Sequence, residues 1–98
     1  MSSQSLHISD DGTLHMLGVL GFANVEAIYK AGKKWIAKAN RTLLLVDLEK
    51  LTRCDSAGLA MLVAWIKEAN HHGKIIQYIK LPQQIINMID LIGLHKIL

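Results

Sequence analysis

Leu43-Leu44-Leu45-Val46-Asp47-Leu48, followed after six intervening residues by Asp55-Ser56-Ala57-Gly58-Leu59-Ala60, is the stretch on which the fold turns. The first run is short, continuously apolar and bounded by Arg41-Thr42 and Asp47. That pattern predicts a strand buried on both faces of a largely parallel sheet. After a polar connection, Asp55-Ser56 opens a helix, because an Asp or Ser side-chain oxygen accepts from a backbone N–H two or three residues on. Gly58 in the first turn costs about 1 kcal/mol of helix propensity against alanine, so it predicts that another group comes close to the backbone there. Sites in α/β sheets gather at strand carboxyl ends beside helix N-termini. From these residues alone two readings stand. Asp55-Ser56 is a cap and nothing more, or Ser56 is an exposed hydroxyl at the positive end of a helix dipole, where a phosphate is favoured.

On the N-terminal side, Leu6, Ile8, Leu14 and Met16 alternate around Asp10-Asp11-Gly12, which predicts a β-hairpin with strands over about 5–9 and 13–19. Val25, Ile28, Tyr29, Gly32, Ile36 and Ala39 then recur at three and four residues, a helical stripe with Asn24 placed to cap it. Lys30, Lys33, Lys34 and Lys38 lie on the opposite face, with Glu26 one turn before Lys30, and read as a solvated surface rather than a nucleic-acid patch.

On the C-terminal side, a helix is expected over 57–72 and stops at Gly73, which can take the left-handed cap conformation. Ile75-Ile76-Gln77-Tyr78-Ile79 reads as another strand, and Leu81-Pro82 starts a third helix with proline at its first position. Its stripe is Ile85, Ile89 and Ile92, closed by Gly93; 94–98 add a short strand or turn. Strands alternating with helices predict right-handed parallel crossovers. The fold class is therefore α/β, with a mixed, mostly parallel sheet of four to five strands, an N-terminal hairpin and about three helices.

Composition excludes several classes of function. At 98 residues the chain makes one domain. With 51% hydrophobic and 19% charged residues it is neither disordered nor collagen-like. One cysteine, Cys54, excludes a disulfide framework and suits a reducing compartment. Eleven Lys and Arg against eight Asp and Glu are spread along the chain, with no basic stripe interleaved with aromatic rings for nucleic acid. Met1 to His7 has no apolar core of a secretory leader, and Leu59 to Ile66 is far short of the roughly 20 residues of a membrane span.

Catalytic chemistry finds little support. Cys54 has no histidine in a nucleophile context, and Asp47 and Asp55 around Ser56 lack the histidine a hydrolase needs. His71-His72 point about 100° apart on a helix, and His7 facing His15 makes two metal ligands without a third. No phosphate-binding Gly-x-x-x-x-Gly-Lys-Ser/Thr loop is present. No cofactor and no metal are expected.

On a 100° wheel the helix after Ser56 carries Leu59, Leu62, Val63, Ile66 and Ala69 on its core face. Ala57, Met61 and Ala64 fall on the far side with Trp65 on the boundary. A helix apolar nearly all round is buried or presents a second face to a partner. An exposed Met61/Trp65 patch beside Ser56 is the docking expectation; Trp65 packed against the neighbouring helix is the alternative.

Leu45-Val46-Asp47-Leu48 with Asp55-Ser56-Ala57-Gly58-Leu59-Ala60 resembles the signature of STAS domains: a hydrophobic strand ending in Asp-Leu, a short loop, then Asp-Ser/Thr-small-Gly-Leu opening a helix. Gly18-Val19-Leu20-Gly21-Phe22-Ala23-Asn24-Val25 and the helix Leu59 to Ala69 are similar to the MlaB-type branch, which often has threonine where this chain has Ser56. The resemblance implies a single STAS domain over 1–98 of the anti-sigma-factor-antagonist fold. It further implies a non-catalytic cytoplasmic subunit that binds the ATPase of a phospholipid ABC transporter, reaching the membrane only through that complex. Asp55, Ser56, Ala57, Gly58, Met61 and Trp65 would then form the partner-binding site. The other branch implies an anti-sigma-factor antagonist whose Ser56 is phosphorylated by a partner kinase.

Overall fold

In a computed structural model, residues 5–93 are described. The elements run β1 (Leu6–Ile8), β2 (Leu14–Met16), β3 (Gly18–Leu20), α1 (Val25–Lys38), β4 (Leu43–Asp47), β5 (Leu51–Cys54), α2 (Ser56–His71), β6 (Ile75–Ile79) and α3 (Gln83–Ile92). A four-stranded sheet has the order β1-β2-β4-β6, and β3 pairs with β5 in a separate two-stranded sheet. β1 and β2 are antiparallel, while β2-β4, β4-β6 and β3-β5 are parallel. The expected mixed α/β fold with its hairpin and three helices is the one observed; residues 94–98, where a last strand or turn was expected, lie outside the described residues.

The hairpin turn forms where Asp10-Asp11-Gly12 placed it. Gly12 sits at φ +87, Ser9 N donates to the Thr13 carbonyl at 3.0 Å, and the Asp11 carboxylate accepts from Thr13 N at 3.0 Å and Ser9 Oγ at 2.6 Å. These bonds, led by the Ser9 hydroxyl, hold the Asp11 carboxyl at about 2. The expected strand over 13–19 is broken in two. Gly18 takes φ +79, which glycine reaches without steric cost, and its N–H crosses to the Lys50 carbonyl at 3.0 Å. There the chain leaves one sheet for the other. The connection after β4, expected to be irregular, holds β5.

Alternate residues of the larger sheet form the core: Leu14, Met16, Leu44, Val46, Ile76 and Tyr78 are buried and α2 packs over them. The expectation that β4 is buried on both faces fails, because all three helices' buried stripes go to this one core. On the other row Leu43 and Ile75, which are in register, remain about half exposed. Tyr78 is buried and donates its hydroxyl to the Leu62 carbonyl at 2.6 Å, fixing β6 to α2. Desolvation raises its pKa well above the phenol's usual value. Lys74 donates to the Ile36 and Ala39 carbonyls at 2.6 Å and to that of Ala37 at 3.3 Å, placing a cation on the negative end of α1.

Two helix starts differ from expectation. Asn24 stands at the N-cap of α1 without capping it. Its side chain turns back, accepting from Gly21 N at 2.9 Å and donating to the Val19 carbonyl at 2.8 Å. Pro82 is the N-cap of α3 rather than its first residue, with its carbonyl accepting from Ile85 and Ile86. Gly73 and Gly93 are left-handed at φ +68 and +78, as the helix stops required. Ile85 and Ile89 are buried, but Ile92, in the last turn of α3, is exposed.

Candidate functional site

The Asp55 carboxylate is the centre of the site. Asp55 lies at the N-cap of α2, and its Oδ1 accepts from Gly58 N at 2.9 Å, as the capping rule requires. Its Oδ2 accepts from the backbone N–H of Phe22 at 3.0 Å, and its own N–H donates to the Leu20 carbonyl at 3.2 Å. One side chain therefore fastens the β3–α1 loop to the start of α2. The N–H groups of Phe22 and then Gly58 hold its carboxyl below the usual carboxylate range. Gly21 and Gly58 make room for the clamp. A Cβ at Gly21 would lie 2.8 Å from Asp55 Oδ2, and one at Gly58 would lie 2.6 Å from the Leu20 carbonyl oxygen. The close approach inferred from Gly58 is thus the end of β3.

Ser56 is exposed at the first helical position of α2, and Ala57 is partly exposed beside it. Gly58 is buried and serves the packing. Met61 and Trp65 overturn the expectation of an exposed Met/Trp patch. Trp65 is 0% and Met61 4% exposed. Gly32 of α1 explains the first: a Cβ there would fall on the indole ring of Trp65, so the missing side chain is the slot that the ring fills. The indole N–H donates to the Tyr29 carbonyl at 3.3 Å. Packing of Trp65 on the neighbouring helix is therefore the reading that holds, and Met61 lies at the base of a shallow α1–α2 groove of about 280 Å³ with Val25, Tyr29, Ala57 and Ala60.

Different residues give the face its apolar character. Phe22 is 86% exposed beside Asp55. A second groove of about 220 Å³ runs from Ser56 and Ala60 to Met88, Leu91 and Ile92, and Leu91 and Ile92 are exposed. The signal for Phe22 was in the sequence, as a large apolar side chain between Gly21 and Ala23 in a turn, outside any stripe. Ile92 was hidden by continuing the stripe of α3.

Other candidates resolve into structure. Cys54 is buried, and desolvation pushes its thiol up to about 11, leaving it a poor nucleophile. His7 and His15 do face each other, with ring centroids 5.8 Å apart, but no group of three or more potential ligands that could hold a metal occurs among the described residues. His15 Nε2 lies 3.1 Å from Ser9 Oγ and its Nδ1 lies 3.5 Å from Asp47 Oδ2. That has the connectivity of a nucleophile, base and carboxylate. The Ser9 hydroxyl donates to Asp11 instead, and 3.5 Å is too long for a positioning hydrogen bond. Asp47 accepts from the Glu49 N–H at 2.8 Å and otherwise faces His15 and Lys80, not Ser56. His72 pairs with Glu68 on α2 at 3.3 Å. No helix among the described residues is long and apolar enough to cross a membrane.

Comparison with known proteins agrees with this fold. A family model described as "Mlab, STAS domain" matches residues 6–98. A chain of the Acinetobacter MlaFEDB complex in an ATP-bound conformation superposes with a TM-score of 0.81 at 25% identity, covering 93% of each chain. The unphosphorylated anti-sigma-factor antagonist SpoIIAA superposes with a TM-score of 0.58 at 20% identity, over 74% of this chain and 68% of the other, and shares the fold. No curated protein matches the sequence. The match over residues 6–98, together with the Asp55-Ser56 helix start, shows that this chain belongs to the MlaB-type STAS domain family.

Proposed function

We propose that this chain is a non-catalytic subunit that docks on the ATPase of an Mla-type phospholipid ABC transporter, on the cytoplasmic side of the inner membrane, and so supports the upkeep of outer-membrane lipid asymmetry. The observation that carries the reading is the end-to-end likeness to a chain of the MlaFEDB complex, whose chain is covered as fully as this one. Ser56, Ala57 and the adjoining apolar groove supply the contact, while Asp55 and Gly58 hold the loop and helix that present it. Trp65 and Met61 act from beneath by fixing α2 against α1. Binding one conformation or assembly state of the ATPase more tightly than another is all such a subunit needs in order to act on it. A docking role of this kind needs no bond-breaking group and no cofactor. Titration calorimetry of the purified chain against its cognate ABC ATPase tests this: Ser56→Asp, which puts a charge at the contact, should weaken binding at least about tenfold, and unchanged affinity would remove this face from the interface.

A second reading rests on the Ser56 hydroxyl itself. It is exposed where a phosphate would meet the positive end of α2, as an anti-sigma-factor antagonist regulated by a kinase requires. Intact-mass measurement of the protein from its own cells under varied growth conditions checks it, and absence of any phosphorylated fraction counts against it.

A further inference from the structure

We infer that the groove between β1 and α1 takes up an extended segment of a partner protein, carrying apolar and acidic side chains and paired as an added strand to the open edge of β1. This surface is separate from the docking face above: Gly32 of α1 turns toward Trp65 of α2, whereas Ala31 turns toward the groove, about 100° away on the helix. β1 ends the four-stranded sheet, and among the described residues no strand pairs with its outer side. Leu17 N donates to the Ser5 carbonyl and Ser9 N to that of Thr13. In an antiparallel pair the bonded residues alternate, so residues 5, 7 and 9 turn their backbone groups toward β2, and Leu6 and Ile8 turn theirs outward. Beside this edge runs a groove of about 360 Å³ lined by Leu6, Ile8, Leu14, Ala27, Ala31 and Trp35. Leu14 is buried within it, while Ile8 is 51% exposed at its rim.

The charge at the rim selects the occupant. Ala27, Ala31 and Trp35 repeat every four residues, and Lys30, Lys34 and Lys38 each follow one of them by three. Residues three apart are neighbours on a helix surface, so an apolar row and a lysine row run side by side along α1. Glu26 pairs with Lys30 at 3.5 Å. Lys34 and Lys38 are exposed and make no ion pair among the described residues. The acids of the hairpin, Asp10 and Asp11, lie in the turn past Ile8, where Ser9 Oγ and Thr13 N occupy the Asp11 carboxylate. On an added strand, the side chains facing α1 meet both rows: apolar ones fill the groove and carboxylates reach the lysines at its lip. The backbone of the same segment satisfies the outward N–H and C=O groups of Leu6 and Ile8, which is how strand addition gains its affinity. A bilayer surface has no backbone to pair with a strand edge, so a protein segment fits where a membrane does not.

The test titrates the full chain, labelled with nitrogen-15, with the synthetic peptide Ac-Ile-Thr-Glu-Thr-Ile-Thr-Glu-Thr-NH2, which puts isoleucine and glutamate on one face of a strand. A counterpart with lysine for both glutamates and an N-methylated form that cannot pair a strand edge serve as comparisons. The acidic peptide should shift the amides of Leu6, Ile8 and Ala31 and the indole of Trp35. At low salt it should bind about fivefold or more tightly than its lysine counterpart, and N-methylation should abolish its binding. The double variant Lys34→Glu, Lys38→Glu changes two exposed side chains, so it should melt as wild type does and reverse the preference between the two peptides. No shift at β1 at millimolar peptide, equal binding of the two peptides, or an unreversed preference in the double variant would each overturn the inference. Undiminished binding of the N-methylated peptide would overturn it too, by removing strand pairing. Flotation of wild type, but not of the double variant, with vesicles of phosphatidylethanolamine and phosphatidylglycerol would make the lysine row a membrane contact and refute the protein partner.

Discussion

Trp65→Ala should unfold this domain far more readily than it disturbs any surface, and the size of the effect follows from the packing. The indole is fully buried between α2 and α1, with Gly32 supplying the slot. Removing about 200 Å² of buried aromatic surface at about 25 cal/mol per Å² costs about 5 kcal/mol. Measured aromatic-to-alanine losses of about 3–5 kcal/mol agree. In a domain of this size each kcal/mol lowers Tm by about 4–8 °C, so a drop of roughly 12 °C or more is expected. Gly32→Ala alone has two opposing effects: overpacking against the ring costs about 1–3 kcal/mol, and better helix propensity returns about 1 kcal/mol. In the Trp65→Ala background the ring is gone, so the same methyl enters vacated space and Gly32→Ala becomes stabilising. Urea denaturation of the four proteins, followed by circular dichroism, should give a coupling energy of about 1–3 kcal/mol. Additivity within about 0.5 kcal/mol, or a Trp65→Ala cost below about 1 kcal/mol, would refute the slot.

Acid unfolding should report the two clamped carboxylates. Asp55 and Asp11 have lowered pKa values in the folded state, so each contributes stability that is present above its unfolded value and is lost as pH falls through its folded one. For Asp11 that window runs from 3.8 down to about 2, and Asp11→Asn or Asp55→Asn should flatten the acid limb of stability against pH. Lys74→Met should cost about 1–2 kcal/mol by freeing three carbonyls at the end of α1, and the urea midpoint reads it. Cys54 should react with Ellman's reagent at pH 8 only at the rate of unfolding, because its thiol is buried and pushed up to about 11; rapid labelling of the native protein would contradict its burial.

Much of the fold was legible because local and tertiary preferences agree. Leu43–Asp47 is a strand in either context, Asp55 caps α2 by the side-chain bond its residue type favours, and Gly73 and Gly93 stop helices in the left-handed conformation that suits them. β3 and β5 were missed because each is three or four residues long and is defined by pairing across thirty residues of chain rather than by an alternation of its own. At the site, Asp55, Ser56 and Gly58 stood out through capping and glycine cost. Trp65 was misplaced because a helical wheel ranks faces without saying what covers them. The complementary signal was Gly32, a glycine on the core stripe of α1 where a side chain is missing on purpose. Phe22 escaped because no periodic pattern contains it; its signal was a large apolar side chain between Gly21 and Ala23 in a turn.

Affinity purification of the tagged chain from its native cells, with mass spectrometry of what co-purifies, tests the central claim most directly. An ABC ATPase together with its membrane permease is the predicted result. A histidine-kinase-like ATPase or a sigma-factor regulator, with no transporter component, would contradict it.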